Sequence, residues 1–116
     1  VGPQFERSKA LYFKASDIFL LPGAVGLAIL DSFAFETPLI TMEYKFHGPE
    51  FEYIINEYNA VVSEQNLTDY VAKIEELLLD SQKIKLLKEA AKLMIKKYNL
   101  QCMVANFIDG IEKALV

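Results

Sequence analysis

Short runs that are apolar on both faces alternate along this chain with stretches whose apolar positions step by three and four, which predicts strands separated by helices. Asp17-Ile18-Phe19-Leu20-Leu21, closed by Pro22-Gly23, reads as a strand buried on both sides. Pro38-Leu39-Ile40-Thr41-Met42 repeats that signature, and Ala60-Val61-Val62 is a brief third strand. Gln4–Ser16, with Ser8, Leu11, Tyr12 and Ala15 on one stripe, reads as a first helix, and Gly26–Phe35 as a second. Pro49-Glu50-Phe51-Glu52 opens a short helix to about Ile55, because proline at a first helical position followed by acids marks a helix start. Asn66, with Asp69 at the third position, caps a helix to about Leu79. Ser81 can cap another, whose apolar positions are Ile84, Leu87, Ala91, Met94 and Tyr98. A last helix carries Val104, Phe107, Ile108, Ile111 and Leu115 on one side.

Three strands separated by helices predict an α/β fold with a partial parallel sheet of about three strands and a helical C-terminal tail. At 116 residues the chain holds one domain, spanning residues 1–116, and no repeat, low-complexity tract or linker divides it. Three strands are few for a self-contained sheet, and an uncovered edge invites pairing with another copy, so a homo-oligomer is compatible with the pattern. The start Val1-Gly2-Pro3 has neither an initiating methionine nor a signal-peptide pattern, so the chain is expected to be a piece of a longer polypeptide.

Charge removes one class of partner. Twelve Lys and Arg against sixteen Asp and Glu leave a net charge of −4, without the broad cationic field that nucleic acid requires, so no nucleic-acid partner is expected. The single cysteine, Cys102, excludes an internal disulfide and a cysteine-rich zinc site. Its neighbours Met103 and Val104 suggest a small buried hydrophobe, and the expected compartment is the cytoplasm. No apolar run approaches the roughly 18 residues needed to cross a bilayer. Lys83, Lys85, Lys88, Lys92, Lys96 and Lys97 read either as a solvated helix face or as a surface for lipid headgroups, which would place the chain peripherally on the inner face of a membrane. Asn66-Leu67-Thr68 matches a glycosylation sequon, but a helix cap explains it without secretion. Most of the phenylalanines and tyrosines fall at core positions.

In an open parallel sheet ligands bind beyond the carboxyl ends of the strands, which directs attention to the turn Pro22-Gly23-Ala24-Val25-Gly26-Leu27. Two glycines between a strand and a helix let a ligand approach backbone N–H groups closely, so the turn is either an anion site or an ordinary tight connection. From Asp17 to Ser63 the acids Asp17, Asp31, Glu36, Glu43, Glu50, Glu52 and Glu57 face Lys45 alone. A diphosphate bound there would need cations from outside that stretch. His47 reads as a solvated loop residue or a contact to a sugar hydroxyl, with no partner at metal-ligand spacing. Glu50 reads as dipole stabilisation at a helix start or as part of a ligand-lining loop.

The run Ala15-Ser16-Asp17-Ile18-Phe19-Leu20-Leu21-Pro22, followed by Gly26-Leu27-Ala28-Ile29-Leu30-Asp31-Ser32-Phe33-Ala34-Phe35-Glu36-Thr37-Pro38, resembles the donor-binding domain of the retaining group 1 glycosyltransferases of GT-B fold. The likeness extends over about positions 8 to 115, and Pro22–Leu27 with Pro49–Glu52 is similar to a Pro-Gly-x-Val-Gly-Leu subset. It implies a Rossmann-like three-layer domain, part of a C-terminal nucleotide-sugar domain facing an acceptor domain across a cleft. The implied reaction moves a sugar from a UDP- or GDP-linked donor to a carbohydrate or lipid-linked acceptor in polysaccharide or glycoconjugate biosynthesis. The donor is a substrate, and neither cofactor nor metal is expected. Gly23, Ala24, Val25, Gly26, Leu27 and Ala28 match the backbone cradle for the diphosphate, and Asp31 matches the second glutamate of the family's Glu-x7-Glu motif, which holds the ribose. Glu50 falls in a loop lining the donor sugar, and no catalytic residue is assigned. Three positions depart from the family: Asp31 is one methylene shorter than glutamate, Gly23 stands where the first glutamate would be, and Glu36 replaces the glycine before Thr37-Pro38. The family's phosphate-binding Arg and Lys fall upstream of residue 1, so the chain alone is expected not to turn over a donor. The competing reading is a non-catalytic Rossmann-like scaffold or oligomerisation module that has lost donor binding.

Overall fold

The computed structural model describes residues 2–116. In chain order it contains α1 (Glu6–Ala15), β1 (Phe19–Leu20), α2 (Ala28–Ala34), β2 (Leu39–Met42), a 3-10 helix (Pro49–Tyr53), β3 (Ala60–Ser63), α3 (Leu67–Leu79), α4 (Ser81–Lys97) and α5 (Leu100–Ala114). The strands form one parallel sheet in the order β1-β2-β3, with Leu39 opposite Phe19 and Ala60, and Ile40 opposite Leu20 and Val61. The predicted α/β fold, parallel sheet and helical tail are all present.

Alternation along the central strand divides the core in two. Leu39 joins Val25, Ile29, Phe33, Ala60, Ala91 and Met94 on the face covered by α2 and α4. Ile40 joins Val61, Tyr70, Leu77 and Leu87 on the other, under α3. Helices thus cover both faces, giving the three layers of a Rossmann-like arrangement. Burial pushes the Tyr70 phenol up from its usual pKa, and its hydroxyl donates to the Ile40 carbonyl at 3.3 Å.

Several expectations need correction. The first strand keeps only two residues and is not buried on both sides: it lies at the sheet edge, where Leu20 is 45% exposed. The stripe Ser8, Leu11, Tyr12 and Ala15 lies largely in solvent, because α1 docks through Phe13, whose ring sits 4.9 Å from Phe19 and 5.1 Å from Phe35. Asp80, not Ser81, caps α4, since its carboxylate accepts from the Lys83 amide at 2.8 Å and Ser81 is already helical. Asn66 caps α3 as expected, accepting from the Asp69 amide at 2.8 Å. The predicted lysine face is not uniformly solvated: Lys83 pairs with Glu57 and Glu76, and Lys92 with Glu36 and Glu89. The helix expected over Val104–Leu115 forms, yet α5 buries none of its residues, so Cys102 is half-buried, with its thiol 3.6 Å from the Lys96 carbonyl. No helix among the described residues is long and apolar enough to cross a membrane.

Glu36 illustrates a local conflict between side chain and backbone. It follows the C-cap of α2 with a φ of +54°, in the left-handed region where a glycine usually terminates a helix. An L side chain there is strained. The exposed Lys92–Glu36 pair at 3.6 Å offsets little of that. Glu36→Gly is therefore expected to raise folding stability by about 0.5–1 kcal/mol, read as a higher urea midpoint at unchanged slope. A lower midpoint would show that the glutamate's contacts outweigh the strain.

Candidate functional site

Because the three strands are parallel, their carboxyl ends lie on one edge of the sheet, and the turn after β1, the loop after β2 and the turn after β3 gather there. Pro22–Leu27 crosses this edge into α2. Val25 anchors the turn by burying its side chain in the core against Ile29 and Phe33, so only its backbone is available to a ligand. Gly26 has a φ of +54°, and a Cβ added there would meet nothing within 4 Å, so the residue supplies the left-handed bend and leaves open space beside it. Gly23 likewise has open space around it, at an ordinary φ. No side chain caps α2, and no turn or loop bond among the described residues engages the amides of Gly26, Leu27 or Ala28. The backbone here offers donors without internal partners.

Asp31 lies in the first turn of α2 and is half-buried. Its Oδ1 accepts from the Lys9 ammonium of α1 at 2.7 Å, a contact spanning 22 residues of sequence. Neither residue's local pattern announces the pair, because it depends on how α1 docks through Phe13. Among the described residues Oδ2 has no hydrogen bond or ion pair.

The loop after β2 brings the second group of predicted residues to the same edge. Phe51, Tyr53 and Ile54 border the core cluster that contains Val25, which joins the 3-10 helix to the β1–α2 turn. The Glu50 carboxylate folds over Gly48, with Oε2 2.5 Å from where a Cβ on that glycine would stand. No hydrogen bond or ion pair among the described residues links Glu50 to the β1–α2 turn. His47 is not the free loop residue expected. Its ring stacks on Phe51 at 4.0 Å and 10°, Nε2 lies 3.0 Å from the Met42 carbonyl, and buried Nδ1 has no partner. A carbonyl can only accept, so Nε2 carries the proton and His47 ties the loop to the end of β2. Thr41 is a second buried polar group in this region, with an unpartnered hydroxyl.

The family model described as glycosyl transferases group 1 matches residues 2–104, from ahead of α1 into α5. This chain belongs to the group 1 glycosyltransferases. The match takes in the whole sheet, the β1–α2 turn, Asp31 and Glu50. Glycosyl transfer is therefore the general chemistry of the family in which this fold and this sheet edge occur.

Among the described residues no group of three or more His, Cys, Asp and Glu side chains converges as metal ligands do. An open pocket of about 450 Å³ is lined by Leu30, Tyr53, Tyr98, Asn99, Leu100 and Met103 among others, and none of the predicted site residues lines it.

Proposed function

We propose that this chain supplies part of the donor site of a GT-B glycosyltransferase, within the C-terminal nucleotide-sugar domain of the Pro-Gly-x-Val-Gly-Leu subset. The observation that carries this reading is the β1–α2 turn, with left-handed Gly26, uncapped amides at the start of α2 and Asp31 one turn on. Backbone donors there suit the diphosphate of a UDP- or GDP-linked sugar, and an Asp31 oxygen suits the ribose hydroxyls. The bond between the anomeric carbon and the diphosphate oxygen breaks and the diphosphate leaves with the electron pair; a hydroxyl oxygen of the carbohydrate or lipid-linked acceptor bonds the anomeric carbon with retention, and its proton passes to the departing diphosphate. Donors already aimed at the diphosphate favour its departure, because they need not reorganise as negative charge grows. Ala24 and Gly23 extend the same cradle, and Glu50 lines the sugar end of the site.

The test is an amide-resolved titration of the ¹⁵N-labelled chain with UDP and with GDP. Shifts clustered at Gly26, Leu27, Ala28 and Asp31 are expected, and Asp31→Ala is expected to weaken binding about tenfold. A scaffold that has abandoned donor binding would show no clustered shifts with either nucleotide and no response to Asp31→Ala, and that result would overturn the proposal.

A further inference from the structure

We propose that Lys9 is a positioning residue of this site: its ammonium holds Oδ1 of Asp31 so that the carboxylate is neutralised and Oδ2 is presented to the ribose of the donor. The inference rests on the reading of Asp31 as the ribose acceptor and adds to it a residue from a separate helix.

Asp31 sits within the stretch from Asp17 to Ser63 that holds seven acids and a single lysine. An unpaired carboxylate near a bound diphosphate would repel it. Lys9 comes from outside the acidic stretch and lies 2.7 Å from Oδ1, with the two side chains 36% and 33% exposed. It supplies Asp31 with a cation from outside that segment.

Aspartate is shorter than the glutamate it stands for, so its carboxylate has less freedom to search for the ribose and its orientation matters more. A charge-assisted bond of this length fixes one oxygen and leaves the other, which has no partner among the described residues, as the acceptor. The same carboxylate can then serve Lys9 and a hydroxyl together, since its two oxygens offer about four acceptor sites.

α1 is also held by contacts that do not involve Lys9: Phe13 meets Phe19 edge-on and stacks on Phe35, and the Thr37 hydroxyl donates to the Phe13 carbonyl at 3.1 Å. Removing the ammonium leaves these contacts available to dock the helix. A purely structural ion pair and a positioning one can be told apart by ligand selectivity.

The experiment measures the affinities of the chain and its variants for UDP and GDP, and for the 2′,3′-dideoxy form of whichever binds. Wild type is expected to prefer the ribose form by about tenfold or more. Lys9→Met is expected to lose most of that preference, Lys9→Arg to retain it, and Lys9→Met combined with Asp31→Ala to lose no more than Asp31→Ala alone. Lys9→Gln carries the same test if the methionine variant does not fold. If Asp31→Ala abolishes the preference while Lys9→Met and Lys9→Gln keep it, or weaken both nucleotides alike, Lys9 is structural and this inference is overturned with the donor site intact. If wild type binds neither nucleotide, or has no ribose preference for Asp31→Ala to remove, the reading of Asp31 fails and this inference falls with it.

Discussion

Replacing Phe33 by alanine is expected to cost about 3–5 kcal/mol of folding stability, whereas Phe107→Ala is expected to change it by less than about 0.5 kcal/mol. Both phenylalanines belong to apolar stripes on helices, and their sequence surroundings do not distinguish them. Phe33 has no exposed surface and lies among Val25, Ile29, Leu39 and Met94, where deleting its ring leaves a cavity between α2, the sheet and α4. Phe107 is 70% exposed on α5, a helix that buries none of its residues. The loss at Phe33 is a large share of the 5–15 kcal/mol that holds a domain of this size folded. It should lower Tm by on the order of 10 °C or more. It also loosens α2, the element that carries the β1–α2 turn and Asp31, so nucleotide binding should weaken with stability. Denaturant unfolding of the two variants at several protein concentrations checks both halves. If Phe107→Ala proved as costly as Phe33→Ala, the α5 stripe would be covered in solution, and a midpoint rising with concentration would identify another copy as the cover.

Asn59→Ala is expected to cost about 2–3 kcal/mol, and the physical reason lies in the connection between the 3-10 helix and β3. Asn59 is 1% exposed although it sits in a turn. Its Oδ1 accepts from the Ile55 amide at 2.8 Å, and its Nδ2 donates to the Tyr53 carbonyl at 2.9 Å, so one side chain closes the chain back on itself. Asn56 does the complementary work from outside, accepting from the Val62 amide of β3 at 2.8 Å. Alanine at position 59 leaves the Ile55 amide and the Tyr53 carbonyl without their side-chain partner in a partly buried place. The same tie sets the end of the 3-10 helix that carries Glu50. Backbone amide shifts should therefore change over Glu50–Ile55 as well as at the turn. Asn59→Ala with an unchanged urea midpoint would mean that solvent satisfies both groups at no cost.

The Lys83 ammonium shows how tertiary pairing enters the same region. Its hydrogen bond to Glu57 holds its pKa above the ordinary lysine value, joining the start of α4 to the turn before β3. Glu57 itself has a φ of +63°, so the turn holds a strained residue that this ion pair and the adjacent asparagine bonds keep in place.

Local periodicity determined the elements of this protein, because a buried strand and an amphipathic helix differ in repeat whatever they pack against. Leu39–Met42, Ala60–Ser63 and the helix capped by Asn66 could be read from their own residues. The β1–α2 turn was equally legible, since Pro22, Gly23 and Gly26 interrupt the pattern between a strand and a helix. The family likeness rested on that same contiguous run. What periodicity could not decide was which face of an element meets another element. The stripe on α1 pointed away from its docking side because one aromatic pair of contacts, Phe13 with Phe19 and Phe35, outweighed several weaker apolar positions. The α5 stripe is left with no buried residue among the described residues. Cap choice at α4 turned on one residue, since Asp80 and Ser81 are both good caps and only the backbone at that corner selects between them. The stacking of His47 on Phe51, the burial of Asn59, the left-handed backbone at Glu36 and the Lys9–Asp31 pair likewise required the assembled structure. Each depends on groups brought together from different parts of the chain or on a backbone angle set by neighbouring elements. Sequence pattern reports the period of a segment, and only packing reports its phase.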